Sequence, residues 1–266
     1  MRRILHIKNQ LRSPRLVRYT LYAIGEIILI VIGILIASQI DTWNEERKIK
    51  LKLRVQLNEL LRELEQDVKQ LAWVQDANTF RYQGFQYILR MANENQTNSI
   101  NNQADTARTN VWPRAIPETF SKEYYDLVFE WMERPILYVP FSGTYDQIKS
   151  EGLFYYIMDE KLKHSIDNYY YNINWKFNEI KEATFQANNR DFINYMRNRV
   201  GIISGNKNIK IPEPKVLIKL DPIMNLNIME MSSLALYRAN NAEDSKVTAL
   251  QLIDNIKRWL KESGDN

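Results

Sequence analysis

The pattern of apolar and polar positions along the chain begins with one long apolar run. From residue 19 to 40 the only strongly polar side chains are Glu26 and Gln39. At a rise of about 1.5 Å per residue, such a run is long enough as a helix to cross the hydrocarbon core of a bilayer. A cleaved signal peptide is less favoured, because its apolar region is usually only about 7 to 15 residues long. The pattern therefore predicts one transmembrane helix over residues 19–42.

After the apolar run, apolar residues recur at spacings of three and four, which is typical of an amphipathic helix. They are Leu53, Leu57, Leu60, Leu64, Val68 and Leu71. The stripe broadens towards residue 91, which favours the first helix of a bundle over a two-stranded coiled-coil stalk. We predict a helix over residues 43–92 that continues from the membrane segment, followed by a polar loop at residues 93–110.

The rest of the chain predicts further helices, with proline and glycine marking their ends. They cover about 118–133, a short segment ending at Gly152, 159–200, 222–239 and 242–262. Ser142 or Thr144 can cap the short helix, and Asp159 can cap the long one. A short strand is expected at residues 216–220. The predicted fold class is all-α: one N-terminal transmembrane helix, then an extramembrane bundle of about five long helices.

Charge is concentrated at the N-terminus. The net charge is +4, but six of the 36 Lys and Arg residues lie in residues 1–18, which contain no acid. The remaining 30 are outnumbered by the 32 Asp and Glu residues, so no nucleic-acid partner is expected. The tail can contact anionic lipid, although we interpret it chiefly as a topology signal.

Orientation follows from the tail and from the length of what lies beyond the membrane. Basic residues at 47–54 nearly balance the tail, but long downstream domains cross a membrane largely regardless of charge. We therefore expect residues 1–18 to be cytoplasmic and residues 43–266 to lie outside the cytoplasm. In a bacterium this predicts an inner-membrane protein with a periplasmic C-terminal domain.

Glu26 is an ionisable residue inside the predicted span. It shares one stripe of the helix with Gly33 and Ala37, and these two form a small-x-x-x-small pair that permits close helix approach. The favoured hypothesis is self-association through this stripe. Proton handling by Glu26 and the absence of any role are the alternatives.

Catalytic chemistry has little support in the sequence. The chain has no cysteine and only two histidines, and it lacks a glycine-rich phosphate loop. Glu160, His164 and Asp167 share a helix face and could bind a metal, but a surface charge cluster is favoured. We expect no enzyme activity, no cofactor and no metal site.

The predicted helix over 159–200 is unusually rich in aromatic residues. Its aromatic residues include Tyr169, Tyr170, Tyr171, Trp175, Phe177, Phe185, Phe192 and Tyr195. They could form a stacking platform for bases or sugars, but core packing is favoured because the chain after the tail is net acidic.

Two sequence elements carry a resemblance to a known family. They are "YAIGEIILIVIGILIASQIDTWNEERK" from residue 22 and "TYDQIKSEG" from residue 144. They resemble the patterns "YAIGEIxLVxIGILIAxQxxxWNE" and "TYDELKSSG" of an uncharacterised family of single-pass membrane proteins widespread in Bacteroidota, the domain-of-unknown-function family numbered sixty-ninety. Residues that match include Glu26, Gly33, Ala37, Thr144, Tyr145, Asp146 and Gly152, whereas Gln147 and Glu151 depart from the pattern. The resemblance implies membrane location and a helical domain, without an activity or ligand.

Two functional classes follow from these features. The first is a membrane-anchored helical scaffold or sensory and interaction module that acts through an unidentified partner protein or ligand. The second is a subunit of a proton-driven energy-transducing membrane complex that uses Glu26. Replacing Glu26 by Gln discriminates between them, because only the second class requires an ionisable side chain there.

Overall fold

A computed structural model describes residues 14–92, 103–132, 134–200, 211–220 and 222–263. Residues 1–13 of the predicted tail and residues 93–102 of the predicted loop at 93–110 lie outside this described part, whereas residues 14–18 of the tail are helical. The described residues are largely helical and contain no strand, which confirms the predicted all-α fold class.

Eight α-helices and one 3-10 turn make up the regular structure of the described residues. They are α1 (Pro14–Ala92), α2 (Gln103–Thr106), α3 (Lys122–Met132), α4 (Gly143–Ser150), the 3-10 turn (Leu153–Tyr156), α5 (Glu160–Phe177), α6 (Glu179–Val200), α7 (Pro214–Leu220) and α8 (Pro222–Glu262). The chain divides into two compact units, residues 1–55 and 56–266.

The first unit contains the apolar part of α1. The side chains from residue 19 to 40 are exposed. Among the described helices, α1 alone is long and apolar enough to cross a membrane, judged by length and composition, and none of its apolar window is buried in the protein. The first unit is therefore compatible with a single-pass membrane protein.

The second unit has an aromatic-rich core in which α1 takes part. Leu57, Leu60 and Leu64 of α1 are fully buried. Further along the helix, aromatic rings replace leucines, and Tyr87 packs edge to face on Tyr124 of α3 with ring centroids 4.8 Å apart. Such pairs add about 0.5 to 1.5 kcal/mol beyond the apolar area that they bury.

Most aromatic residues of the predicted helix over 159–200 belong to this core, as favoured from the sequence. The buried ones are Tyr169, Tyr170, Phe177, Phe185 and Phe192. Tyr171 and Trp175 differ, since both side chains are exposed.

α3 approaches α1 closely at Gly84. A Cβ atom at this position would lie 2.6 Å from Val128 Cγ1 and 2.7 Å from Val128 Cγ2, far inside normal contact distance. Only a glycine leaves room for the Val128 side chain here, so this residue sets the separation of the two helices.

The C-terminal end of α3 is capped by a buried side chain of α1. Arg81 Nε donates to the carbonyl of Trp131 (2.9 Å), and Nη2 donates to the carbonyls of Met132 (3.3 Å) and Arg134. These carbonyls have no partner within the helix, and a cation is favoured at this end of the helix dipole. Burial and the nearby Arg238 lower the pKa of Arg81 to about 9, so the guanidinium still carries its charge at neutral pH.

The predicted continuous helix over 159–200 is wrong at one residue. Asn178 has an extended backbone (φ −67°, ψ 161°), and its Oδ1 accepts a hydrogen bond from the backbone N–H of Lys181 at 2.9 Å. Asn178 thus ends α5 and caps α6, because asparagine satisfies the free N–H groups of a first turn. The predicted cap Asp159 is confirmed, since its carboxylate accepts from the backbone N–H of Lys161 at 2.9 Å.

The predicted strand at residues 216–220 is also wrong, because these residues lie in α7. Pro214 is the first residue of this helix, where its fixed φ suits the helix and its missing N–H costs nothing. The side chain of Leu217 is buried in the core, so packing overrides the β-branched composition of the segment.

The two helices predicted over 222–239 and 242–262 are a single helix, α8, of 41 residues. The intervening residues contain neither glycine nor proline, and Ala239 and Ala242 on either side of them are buried. The helix therefore has no reason to end at the paired asparagines between them.

Candidate functional site

A cavity of about 1230 Å³ opens in the second unit beside α4 and α5. Its walls come from the segment 137–142 that precedes α4, from α4 itself, from one face of α5 and from the first turns of α6. The lining combines tyrosine rings with amide and carboxylate side chains. A volume above the range of about 300 to 1,000 Å³ of small-molecule pockets leaves room for a large ligand or a segment of another protein.

One wall of the cavity is fastened to α1 by a buried carboxylate, Asp67. Its Oδ1 accepts hydrogen bonds from the Tyr138 hydroxyl (2.8 Å) and the Phe141 backbone N–H (3.1 Å), and its Oδ2 accepts from the Tyr169 hydroxyl (2.9 Å). Burial raises the pKa of Asp67, while these three donors oppose the rise and Glu63 adds to it. Asp67 thereby joins the segment 137–142 and α5 to one point on α1.

A second carboxylate of α1, Glu63, caps α4. Its Oε1 and Oε2 each accept from the Thr144 backbone N–H at 3.1 Å, and Oε1 also accepts from the Thr144 hydroxyl at 2.7 Å. Ser142 occupies the N-cap position, as one of the two predicted alternatives, but the side-chain cap bond comes from Glu63. Ser142 makes no side-chain cap bond and donates instead to Asp146 Oδ2 at 3.0 Å.

The aromatic part of the wall is a stacked tyrosine pair. The rings of Tyr145 and Tyr170 lie 4.1 Å apart at 13°. The Tyr145 hydroxyl donates to Asp167 Oδ1 (2.7 Å), and Lys149 Nζ donates to the same oxygen (3.0 Å). Burial and the Asp167 carboxylate raise the pKa of Tyr145, so the phenol is neutral. The pair is thus held between α4 and α5 by polar contacts at its rim.

The wall formed by α6 contains a buried ion pair. Arg238 of α8 forms hydrogen bonds of 2.6 and 3.1 Å to the two carboxylate oxygens of Glu182, which lines the cavity. Arg238 also donates to the carbonyl of Ile136 at 3.2 Å and lies 4.1 Å from the Phe185 ring centroid. Such a bidentate pair fixes the position of both side chains and leaves Glu182 electrically compensated.

The family-pattern residues named from the sequence lie around the start and end of α4. Tyr145 and Asp146 line the cavity, and Thr144 holds the N-terminus of the helix in place. Gly152 lies beyond the helix, with a φ of +70°. Glycine adopts this left-handed conformation with little strain, as expected for a residue that ends a helix.

The residues named in the predicted membrane span are not part of this site. Glu26, Gly33 and Ala37 lie on α1 in the first unit and are exposed. A Cβ atom on Gly33 would meet no described atom within 4 Å. Their association with a second helix stays a prediction.

The possible metal ligands noted in the sequence do not form a metal site. Asp167 is engaged with Tyr145 and Lys149, and Glu160 pairs with Lys163 at 2.7 Å. No three His, Asp or Glu side chains of the described residues come together in a way that could hold a metal ion.

Comparison with known proteins gives one match. Residues 26–84 match the model of a family of unknown function, DUF6090. The match supports the resemblance to a domain-of-unknown-function family, and it extends over Glu26, Gly33 and Ala37 as well as Glu63 and Asp67. No curated protein and no solved structure matches the chain.

Glu63 and Asp67 hold the walls of the cavity in place, and neither is among the site residues predicted from the sequence. A signal for Asp67 exists, because it lies three residues after Leu64 and four before Leu71. This spacing places a carboxylate on the apolar stripe of α1, where an unpaired charge would be costly, and so implies polar partners.

Proposed function

We propose that the protein is a membrane-anchored interaction module that acts by binding rather than by catalysis. The apolar part of α1 is the anchor, and the second unit holds a partner protein or ligand in the cavity. The observation that carries this proposal is the cavity itself, about 1230 Å³ in volume, with walls joined to α1 by Glu63 and Asp67. Side chains that are locked in position before binding lower the entropic cost of association.

Binding rather than catalysis is supported by the state of two of the four carboxylates that line the cavity. Asp167 is paired with Lys149, and Glu182 is paired with Arg238. Neither carboxylate is available as a free general base, and the chain contains no cysteine nucleophile.

We also propose that the N-terminus is cytoplasmic and that the second unit lies in the periplasm of a bacterium. The basic tail supports this orientation. Because the chain has no cysteine, the orientation can be tested with a single introduced thiol. Met158 is highly exposed, so a Met158→Cys variant should react with a membrane-impermeant maleimide in spheroplasts. A thiol that reacts only after lysis would contradict the orientation.

Self-association in lipid through Glu26, Gly33 and Ala37 is part of the proposal. Gly33→Leu should lower the dimer fraction measured by crosslinking in vesicles, because a bulky residue prevents close helix approach. Gly25→Leu is the matched control, since Gly25 lies off the stripe. Equal effects of the two substitutions would exclude this interface.

The experiment that tests the proposed function compares what co-purifies with the full-length protein from its host in mild detergent. Val139 lines the cavity and is 70% exposed, so Val139→Lys alters the cavity without disturbing the core. Met158→Lys is the control at an equally exposed apolar residue outside the cavity. Proteins and small molecules are identified by mass spectrometry.

We expect co-purifying molecules to be lost from Val139→Lys and retained by Met158→Lys and by Glu26→Gln. Retention by Val139→Lys would contradict a binding role for the cavity. Loss from Glu26→Gln alone would favour the alternative function, a proton-driven energy-transducing subunit that uses Glu26.

A further inference from the structure

The cavity has an unpaired strand-like segment along its edge. Side chains alternate there between buried and exposed: Ile136 and Tyr138 are 1% exposed, whereas Leu137 is 42% and Val139 is 70% exposed. This period of two is that of an extended β-strand. The flanking groups are held in place, since Ile136 accepts from Arg238 and the Phe141 N–H donates to Asp67.

The backbone of this segment has free hydrogen-bonding groups. The N–H and C=O groups of the two exposed residues, Leu137 and Val139, form no hydrogen bond with any other described residue. An extended backbone with unpaired groups is a template for pairing with a second strand. The segment lines the cavity, so a strand that enters the cavity can reach it.

The side chains across the cavity suit a polypeptide backbone. Asn168, Asn174 and Gln186 line the same space and offer both amide donors and carbonyl acceptors. The exposed side chains of Leu137 and Val139 supply apolar contacts at the same time. This mixture matches the alternating polar and apolar edges of an extended peptide.

The charge of the lining specifies the peptide further. Four carboxylate residues, one lysine and His164 line the cavity. Lys149 and Arg238 compensate Asp167 and Glu182, whereas Asp146 and Glu179 form no ion pair with a described residue. The cavity also exposes the Tyr171 ring, which can accept a cation on its face. Complementary charge therefore requires a basic side chain on the occupant.

We propose that the cavity binds an extended polypeptide segment of a partner protein, which pairs its backbone with Leu137–Val139 and places a Lys or Arg side chain towards Asp146 and Glu179. This assignment rests on the proposed function and names the class of ligand. The two carboxylates without an ion pair and the unpaired strand-like segment are independent features of the cavity, so each is tested separately.

The probe is a phage-displayed library of random nonapeptides, selected on the full-length protein in phospholipid nanodiscs. A parallel selection uses the variant Asp146→Asn/Glu179→Gln, which removes both unpaired charges and keeps the side-chain shapes. The matched control, Glu123→Gln/Glu160→Gln, removes two exposed first-turn carboxylates outside the cavity. Enriched peptides are synthesised and their affinities measured by fluorescence anisotropy.

We expect the enriched peptides to be rich in Lys or Arg, and to bind the cavity variant about tenfold more weakly than the wild type or the control. Two N-methylated versions of the best peptide then test the strand. In an extended strand, alternate N–H groups point to opposite sides. Methylation of one alternate set of residues, odd or even, should therefore weaken binding about tenfold, and methylation of the other set should leave binding unchanged.

Several outcomes would overturn the assignment. They are no enrichment over empty nanodiscs, equal affinity for the cavity variant, and equal tolerance of both methylation patterns. If no peptide is enriched while Val139→Lys still loses its co-purifying molecules, the cavity is a binding site for another class of ligand, such as a carbohydrate. If Val139→Lys loses nothing either, the proposed function fails together with the peptide.

Discussion

Single carboxylates of α1 determine where the walls of the cavity lie. Asp67 is fully buried and receives hydrogen bonds from Tyr138, Phe141 and Tyr169, which are distant in sequence from it and belong to two walls. A buried carboxylate is tolerated only when its oxygens have such donors. The three bonds do not fully offset burial, since the pKa of Asp67 is raised.

The raised pKa of Asp67 predicts a pH-dependent contribution to stability. Because the folded-state value lies above the ordinary value of 3.8, the contribution is fully present below about pH 3.8 and is lost as the pH rises through the folded-state pKa. Relative to Asp67→Asn, the wild type should therefore gain free energy of unfolding as the pH falls from 7 towards 3.8. Urea denaturation of both proteins in detergent across this range measures the difference. A difference that is constant, or that grows as the pH rises, would contradict the account.

The close approach of α3 to α1 at Gly84 predicts a strong effect of one methyl group. Gly84→Ala should lower the free energy of unfolding by about 1 to 3 kcal/mol, because the new methyl group would overlap Val128, which is buried and stiff at χ1. A double-mutant cycle measured by urea denaturation provides the control. In a Val128→Ala background the same substitution should cost much less, and an equal cost in both backgrounds would show that the two residues do not clash.

At the scale of elements, apolar periodicity predicts the helices, whereas the helix ends depend on particular side chains. The Asp159 cap is predictable, because its partners are within three residues along the chain. The Glu63 cap of α4 is not, since Glu63 is 81 residues from Thr144 in sequence. The helix break at Asn178 is not predictable for a different reason, because an asparagine is compatible with a helix interior as well as with a cap.

The Glu63 cap predicts a local effect on α4. Glu63→Gln keeps an acceptor for Thr144 but removes the negative charge at the N-terminus of the helix, so it should cost about 0.5 to 2 kcal/mol. Backbone hydrogen exchange measured by mass spectrometry should become faster in residues 143–150. Glu59→Gln, one turn earlier on α1 at a partly exposed ion pair with Arg62, should leave exchange there unchanged. Equal protection in wild type and Glu63→Gln would contradict the capping role.

At the scale of the whole molecule, the predicted membrane segment and the cavity differ in how far the sequence predicts them. The apolar run at residues 19–40 is local, and its length and composition are compatible with a membrane span. The cavity forms where the segment 137–142, α4, α5 and α6 meet, and this depends on long-range contacts that periodicity does not encode. The family-pattern residues Tyr145 and Asp146 were identified from the sequence, but their place in a cavity wall was not.

The central claim, that this cavity is where the protein meets its partner, is tested most directly by site-specific photocrosslinking in intact cells. Benzoylphenylalanine replaces Val139 inside the cavity or, as a control, Tyr155, which is 82% exposed and lies outside it. We predict a covalent adduct at position 139 that is absent at position 155 and is lost when Asp146→Asn/Glu179→Gln is added. No adduct at position 139, or the same adducts at both positions, would contradict the claim.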